Sequence, residues 1–85
     1  MPAFIYYDDS FVNLSLVASI VVLREEEYGR VTGIDMIFYG APAFFDPDGL
    51  LPVIEQWSFE DEEELDKVKQ QVLKAGFYGL LKNKQ

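Results

Sequence analysis

The chain has 85 residues, 49% of them apolar, and a net charge of -8 from 15 acidic and seven basic residues. Cysteine and histidine are both absent, which excludes thiolate and imidazole metal centres, Cys-His and Ser-His nucleophile systems and a disulfide framework. A domain of this length buries only roughly 60 to 65% of the surface its unfolded chain exposes, so the 13 aromatic side chains must supply much of a thin core.

The first element is a β-prone run, Phe4-Ile5-Tyr6-Tyr7, giving a strand over about 3–8 that Asp8-Asp9-Ser10 ends by bonding to their own backbone. Residues 11–24 alternate. Val12, Leu14, Leu16, Ala18, Ile20 and Val22 fall on one face, and Asn13, Ser15, Val17, Ser19, Val21 and Leu23 on the other. The run is longer than a usual strand, which predicts a bend or bulge near Ser15 that divides it. Arg24 to Gly29 breaks the pattern as a hairpin loop of three to five residues, with Gly29 free to take a positive φ.

A further strand is predicted over 31–39, with Thr32, Ile34, Met36 and Phe38 on the apolar face and Gly33 marking a bulge or a close approach. Residues 40–52 hold three of the four prolines and read as a loop, with a type I turn at Asp46-Pro47-Asp48-Gly49. Phe44 and Phe45 within it either fold back over the sheet or face a partner. A last strand over 53–59 leads into a helix over 61–76. Leu65, Val68, Val72 and Ala75 form the helix's apolar stripe. Asp61 with Glu64 has the form of a reciprocal N-cap, and Gly76 that of a left-handed C-cap that lets Phe77 pack back on Val72. A short tail completes the chain.

These elements predict one α+β domain over 1–85: a mainly antiparallel meander of four or five strands with the C-terminal helix packed on one face. The helix covers one face only. Val17, Val21, Leu23, Ile37 and Tyr39 on the other then need a cover from the loop, the tail, a second copy or another protein.

Six acidic residues fall between Glu60 and Asp66, ahead of five of the seven basic ones. The segregation is that of a helix start, where first-turn acids gain from the helix dipole and pairs such as Glu63-Lys67 and Asp66-Lys69 offset repulsion. Asp46-x-Asp48-Gly49 lacks the remaining ligands of a calcium loop, so no metal is expected. No cofactor motif is present, and no catalytic residues are assigned. Asp35 interrupts an apolar strand and is the one candidate for carboxylate chemistry, although alternation alone places it on the solvent face.

The expected function is therefore a non-catalytic protein-protein interaction or regulatory module, working as a homodimer or with another protein. Phe44, Phe45 and Trp57 are the expected apolar anchors, and Glu60, Glu62, Glu63 and Glu64 steer a basic partner. Two alternatives are an acidic inhibitor of a nucleic-acid-binding protein, which needs Asp8, Asp9 and Glu25 to Glu27 to gather beside the helix start, and a small enzyme using Asp35. Direct nucleic-acid binding is not expected from so acidic a chain. The longest stretch without charge or proline, 10–23, is too short and polar for a membrane span. The start lacks the basic residues of a secretory leader, and with no cysteine the expected location is the cytoplasm.

Overall fold

The computed structural model describes residues 3–41, 52–77 and 81–83. The order is β1 (Phe4–Tyr7), β2 (Ser10–Asn13), a 3-10 turn (Leu14–Leu16), β3 (Val17–Glu27), β4 (Arg30–Gly40), β5 (Val53–Phe59), α1 (Glu62–Lys74) and β6 (Leu81–Asn83). The class is α+β, but the single sheet expected from the sequence is divided. β1 and β2 form their own antiparallel hairpin, and the main sheet runs β5-β4-β3 antiparallel, with β6 parallel on the far side of β3.

The division follows from the 3-10 turn. Asn13 begins it, its side chain accepting a hydrogen bond from the Ser15 N–H at 3.0 Å. The Leu14 N–H donates to the Ala3 carbonyl at 2.8 Å, tying the turn back to the start of β1. One strand thereby becomes two, near the bend expected at Ser15. The phase of the side chains shifts as well: Leu14 and Val17 are buried while Leu16 is 65% exposed. Val17 pairs with Gly40 and Ser19 with Tyr39, so Ala18 is an extra residue on β3 and the register slips there. Simple alternation had put Leu16 and Ala18 in the core and Val17 on the opposite face; the turn and bulge reverse this.

The β3–β4 connection is tighter than expected. It is a two-residue loop, Tyr28-Gly29, between paired Glu27 and Arg30, with φ of 52° and 78°. Positive φ at both positions is the type I′ pattern, which matches the twist of the strands. A second slip leaves Thr32 unpaired beside Gly33, where the Thr32 hydroxyl donates to the Glu25 carbonyl at 3.3 Å. β5 pairs with β4 only from Ile34 onward and β6 with β3 only at Ile20 to Val22. The end of the β3–β4 hairpin therefore extends as a two-stranded arm, with Glu25 to Thr32 exposed throughout.

α1 starts and stops where its chemistry dictates. The Asp61 carboxylate accepts from the Glu64 N–H at 2.9 Å, while Glu64 Oε2 accepts from the Glu60 N–H at 3.2 Å, one residue upstream of a regular capping box. At the other end Gly76 takes φ 83°, its N–H bonding to the Leu73 carbonyl and that of Phe77 to the Val72 carbonyl, which is a Schellman motif. Leu65, Val68 and Val72 turn inward onto Ile20, Val22, Ile34, Met36, Phe38, Trp57 and Phe59 of the main sheet. Ile5 and Val12 of the small hairpin join this core, so helix and hairpin lie over the same sheet face. On the other face Ile37 is buried, Val21 and Tyr39 are half-buried and Leu23 is exposed.

Candidate functional site

The small hairpin has two unlike faces. Alternation turns Ile5, Tyr7 and Val12 inward and Phe4, Tyr6 and Phe11 outward, and the outward three are 41%, 59% and 61% exposed. Phe11 lies opposite Tyr6 and diagonal to Phe4, with ring centroids 6.2 and 5.8 Å apart. Three rings thus form one aromatic face toward solvent. Inward, Tyr7 packs edge-on against Phe59 at 4.6 Å and beside Trp57 at 5.7 Å.

Gln71 of α1 holds this hairpin in place. Its Nε2 donates to the Tyr6 carbonyl at 2.8 Å and its Oε1 accepts from the Tyr6 N–H at 2.9 Å. The amide thus pairs with the outer edge of β1 as a neighbouring strand would. The Tyr7 hydroxyl, about two turns of helix away, lies within hydrogen-bonding reach of Glu64 Oε2 at 3.3 Å and the Ser58 carbonyl at 3.4 Å. Burial, then the charge of Glu64 beside it, raises the Tyr7 phenol above its ordinary pKa. Between β1 and α1 lies a cleft of about 270 Å³, lined by Tyr6, Tyr7, Asp8, Glu64, Lys67, Val68 and Gln71.

Residues of two other elements reach the first turns of α1. Arg24 of β3 forks onto Glu62, Nε to Oε1 at 2.6 Å and Nη2 to Oε2 at 3.0 Å. The hydrogen bond from Arg24 holds the Glu62 carboxyl below its ordinary pKa, and the same bond raises that of Arg24. This contact ties β3 to the first turn of the helix at Arg24, and the residues that follow, Glu25, Glu26 and Glu27, continue outward on the exposed arm. From the other side, Asp8 shares the cleft with Glu64. The expected ion pairs Glu63-Lys67 and Asp66-Lys69 are not closed; among the described residues the salt bridge formed is Arg24–Glu62.

Of the anchors expected from the sequence, Trp57 is 5% exposed and belongs to the core, stacked edge-on with Phe38 at 4.9 Å. It faces inward because it pairs with Met36 on the side of β5 that α1 covers, and so it is not a surface anchor. Its Nε1 is buried without a hydrogen-bond partner among the described residues. Phe44 and Phe45 lie outside the described residues. Glu60 and Glu63 are exposed, Glu62 is engaged by Arg24, and Glu64 is half-buried in capping contacts. Asp35 lies on the sheet face opposite Met36, its Oδ1 accepting from the Ser58 hydroxyl at 2.6 Å and so joining β4 to β5.

Sequence reading missed the aromatic face of the small hairpin. Its signal was present in the alternation of Phe4, Ile5 and Tyr6, but only a separate hairpin leaves one side of that strand uncovered. No group of three or more acidic side chains among the described residues is arranged to hold a metal ion, and none of their helices is long and apolar enough to cross a membrane. Comparison with protein-family models, curated proteins and solved structures yields no match.

Proposed function

We propose that this chain is a non-catalytic protein-binding module that docks through the outward face of the β1–β2 hairpin. The observation that carries the reading is the Phe4, Tyr6 and Phe11 cluster, three large rings more than two-fifths exposed on a hairpin whose outer edge Gln71 fixes. Aromatic side chains are the residues enriched at interfaces, where a few supply most of the binding energy. Asp8 shares a cleft with Tyr6 beside this face, and the chain as a whole is acidic, so a partner with basic residues is favoured. A homodimer that paired two copies of this face would bring two chains of net charge -8 together.

The test is site-specific photo-crosslinking from position 11, with position 56 on the opposite sheet face as control, followed by affinity measurement on the purified partner. A discrete product from position 11 alone, and binding weakened at least about tenfold by Phe11→Ser, supports the module. A self-crosslink with a dimeric mass by light scattering assigns the face to a second copy. Equal labelling from both positions, or none, refutes the reading.

A second reading has its own observation. Asp8 shares a cleft with Glu64 of the first turn of α1, and Arg24, the residue before Glu25 to Glu27, is bonded to Glu62 of that turn, which supports an acidic inhibitor of a nucleic-acid-binding protein. In that case the partner's nucleic acid competes with this chain, and both salt and Glu62→Gln/Glu63→Gln/Glu64→Gln weaken the complex. Indifference to both removes this reading.

A further inference from the structure

We propose that the cleft between β1 and α1 receives one basic side chain, arginine in preference to lysine, from the protein that seats on the aromatic face; this rests on the binding reading above. The cleft is small. At about 270 Å³ it lies below the usual range for a drug-sized ligand, roughly 300 to 1,000 Å³, and suits a single side chain. Its helical wall is Glu64, Lys67, Val68 and Gln71, the spacing of one helix face, with Val68 fully buried as an apolar floor.

The polar groups of the lining are unequally engaged. Both amide atoms of Gln71 are occupied by the Tyr6 backbone, so this residue frames the cleft and offers nothing to a ligand. Glu64 uses Oε2 for the Glu60 N–H and the Tyr7 hydroxyl, and its Oε1 has no partner among the described residues. The Asp8 carboxylate accepts no hydrogen bond from them either. Two carboxylates against the one ammonium of Lys67 leave the lining negative, and the chain as a whole reinforces that sign. An anion would meet both carboxylates.

The carboxylates select the kind of cation. A guanidinium presents a planar fork of N–H donors that meets a carboxylate edge with two parallel bonds. Lysine offers a more strongly hydrated point charge and loses that geometry. Tyr6 belongs both to the aromatic face and to the cleft, so a partner residue entering the cleft is continuous with apolar contacts on Phe4 and Phe11.

The test is an NMR titration of the full chain with N-acetylarginine methylamide, its lysine counterpart and the neutral citrulline analogue. We expect saturable shifts confined to the amides of 6–8 and 64–71 with the arginine probe, weaker ones with lysine and none with citrulline. Asp8→Asn/Glu64→Gln lowers arginine affinity about tenfold, whereas Glu26→Gln/Glu27→Gln removes the same charge from the arm without effect. Both cleft changes are compatible with the fold: Asp8 has φ 56°, which asparagine also accepts, and glutamine keeps the acceptor used by Glu60. Equal response to citrulline, equal shifts along Glu25 to Glu27, or full affinity in the cleft variant overturns the proposal. An arginine-indifferent cleft together with a retained crosslink at position 11 overturns it while leaving the binding face in place.

Discussion

Replacing Gln71 by methionine tests the coupling that holds the aromatic face to the rest of the fold. Methionine keeps the length and helix propensity of the side chain while deleting both hydrogen bonds to the Tyr6 backbone. Each such bond contributes about 0.5 to 1.5 kcal/mol net. Water reaches the released groups because Tyr6 is exposed, so the expected cost is about 1 to 2 kcal/mol, in the lower part of the summed range. For a domain of this size each 1 kcal/mol lowers Tm by about 4 to 8 °C. Urea melts give the free energy, and amide hydrogen exchange gives its location. A two-stranded hairpin is marginal by itself, so Tyr6, Tyr7 and Val12 should exchange faster while the β3–β4–β5 ladder keeps its protection.

Gln71→Glu adds a check through pH. A charged carboxylate can accept from the Tyr6 N–H but opposes the Tyr6 carbonyl; the protonated acid can donate to it. The folded state thus raises the pKa of the new group. Its stabilising contribution is present below the unfolded value of about 4.3 and is lost as pH rises through the folded one. The deficit relative to the native chain is therefore largest near neutrality and shrinks in acid. A Gln71→Met protein with an unchanged midpoint and unchanged Tyr6 exchange would falsify the docking role.

Three further outcomes follow from other parts of the fold. Leu14→Ala should cost about 2 to 5 kcal/mol and Leu16→Ala less than about 0.5, because only the first is buried; equal costs in a denaturant melt would contradict the phase change at the 3-10 turn. Tyr28→Asn should stabilise by about 1 kcal/mol, since Tyr28 is 102% exposed at φ 52° and asparagine tolerates the left-handed region; an unchanged or lowered Tm refutes this. Glu62→Gln should cost about 0.2 to 1 kcal/mol at pH 7 in low salt, discounted because more than half of the Glu62 side chain is exposed. Arg24 lowers the Glu62 pKa, so the contribution is present above the ordinary carboxylate value and disappears as pH falls through the depressed one, which a stability profile against pH would show.

Local chemistry made α1 readable. The Asp61 cap, the stripe through Leu65, Val68 and Val72 and the left-handed Gly76 each depend on residues within one turn of one another. The apolar phase of β4 was readable for the same reason, since Ile34, Met36 and Phe38 sit in an unbroken stretch of period two. Alternation fails only where a residue is inserted. The 3-10 turn at Leu14–Leu16 and the slip at Ala18 exchange Leu16 for Val17, and neither has a composition that distinguishes it from continuous strand.

The candidate site was the less legible part. Trp57 reads as an anchor because it is large and lies next to an acidic block, yet its depth is set by Met36 across β4 and by α1 above it. Phe4, Tyr6 and Phe11 read as sheet residues until β1 and β2 pair with each other alone. Gln71 carries no sequence signal at all, because its partner is the backbone of a residue 65 positions away.

By itself the sequence determined the α+β class, the helix with its two caps, and the exclusion of cysteine and histidine chemistry, all of which depend on composition or on neighbours a few residues apart. Tertiary structure alone decided that the sheet divides in two, that Trp57 is interior while three hairpin rings face outward, and that Asp8 and Arg24 come beside the start of α1. Those outcomes depend on contacts between distant residues, the Arg24 fork onto Glu62 and the Gln71 amide on Tyr6 among them, and no short stretch of the chain encodes such a contact.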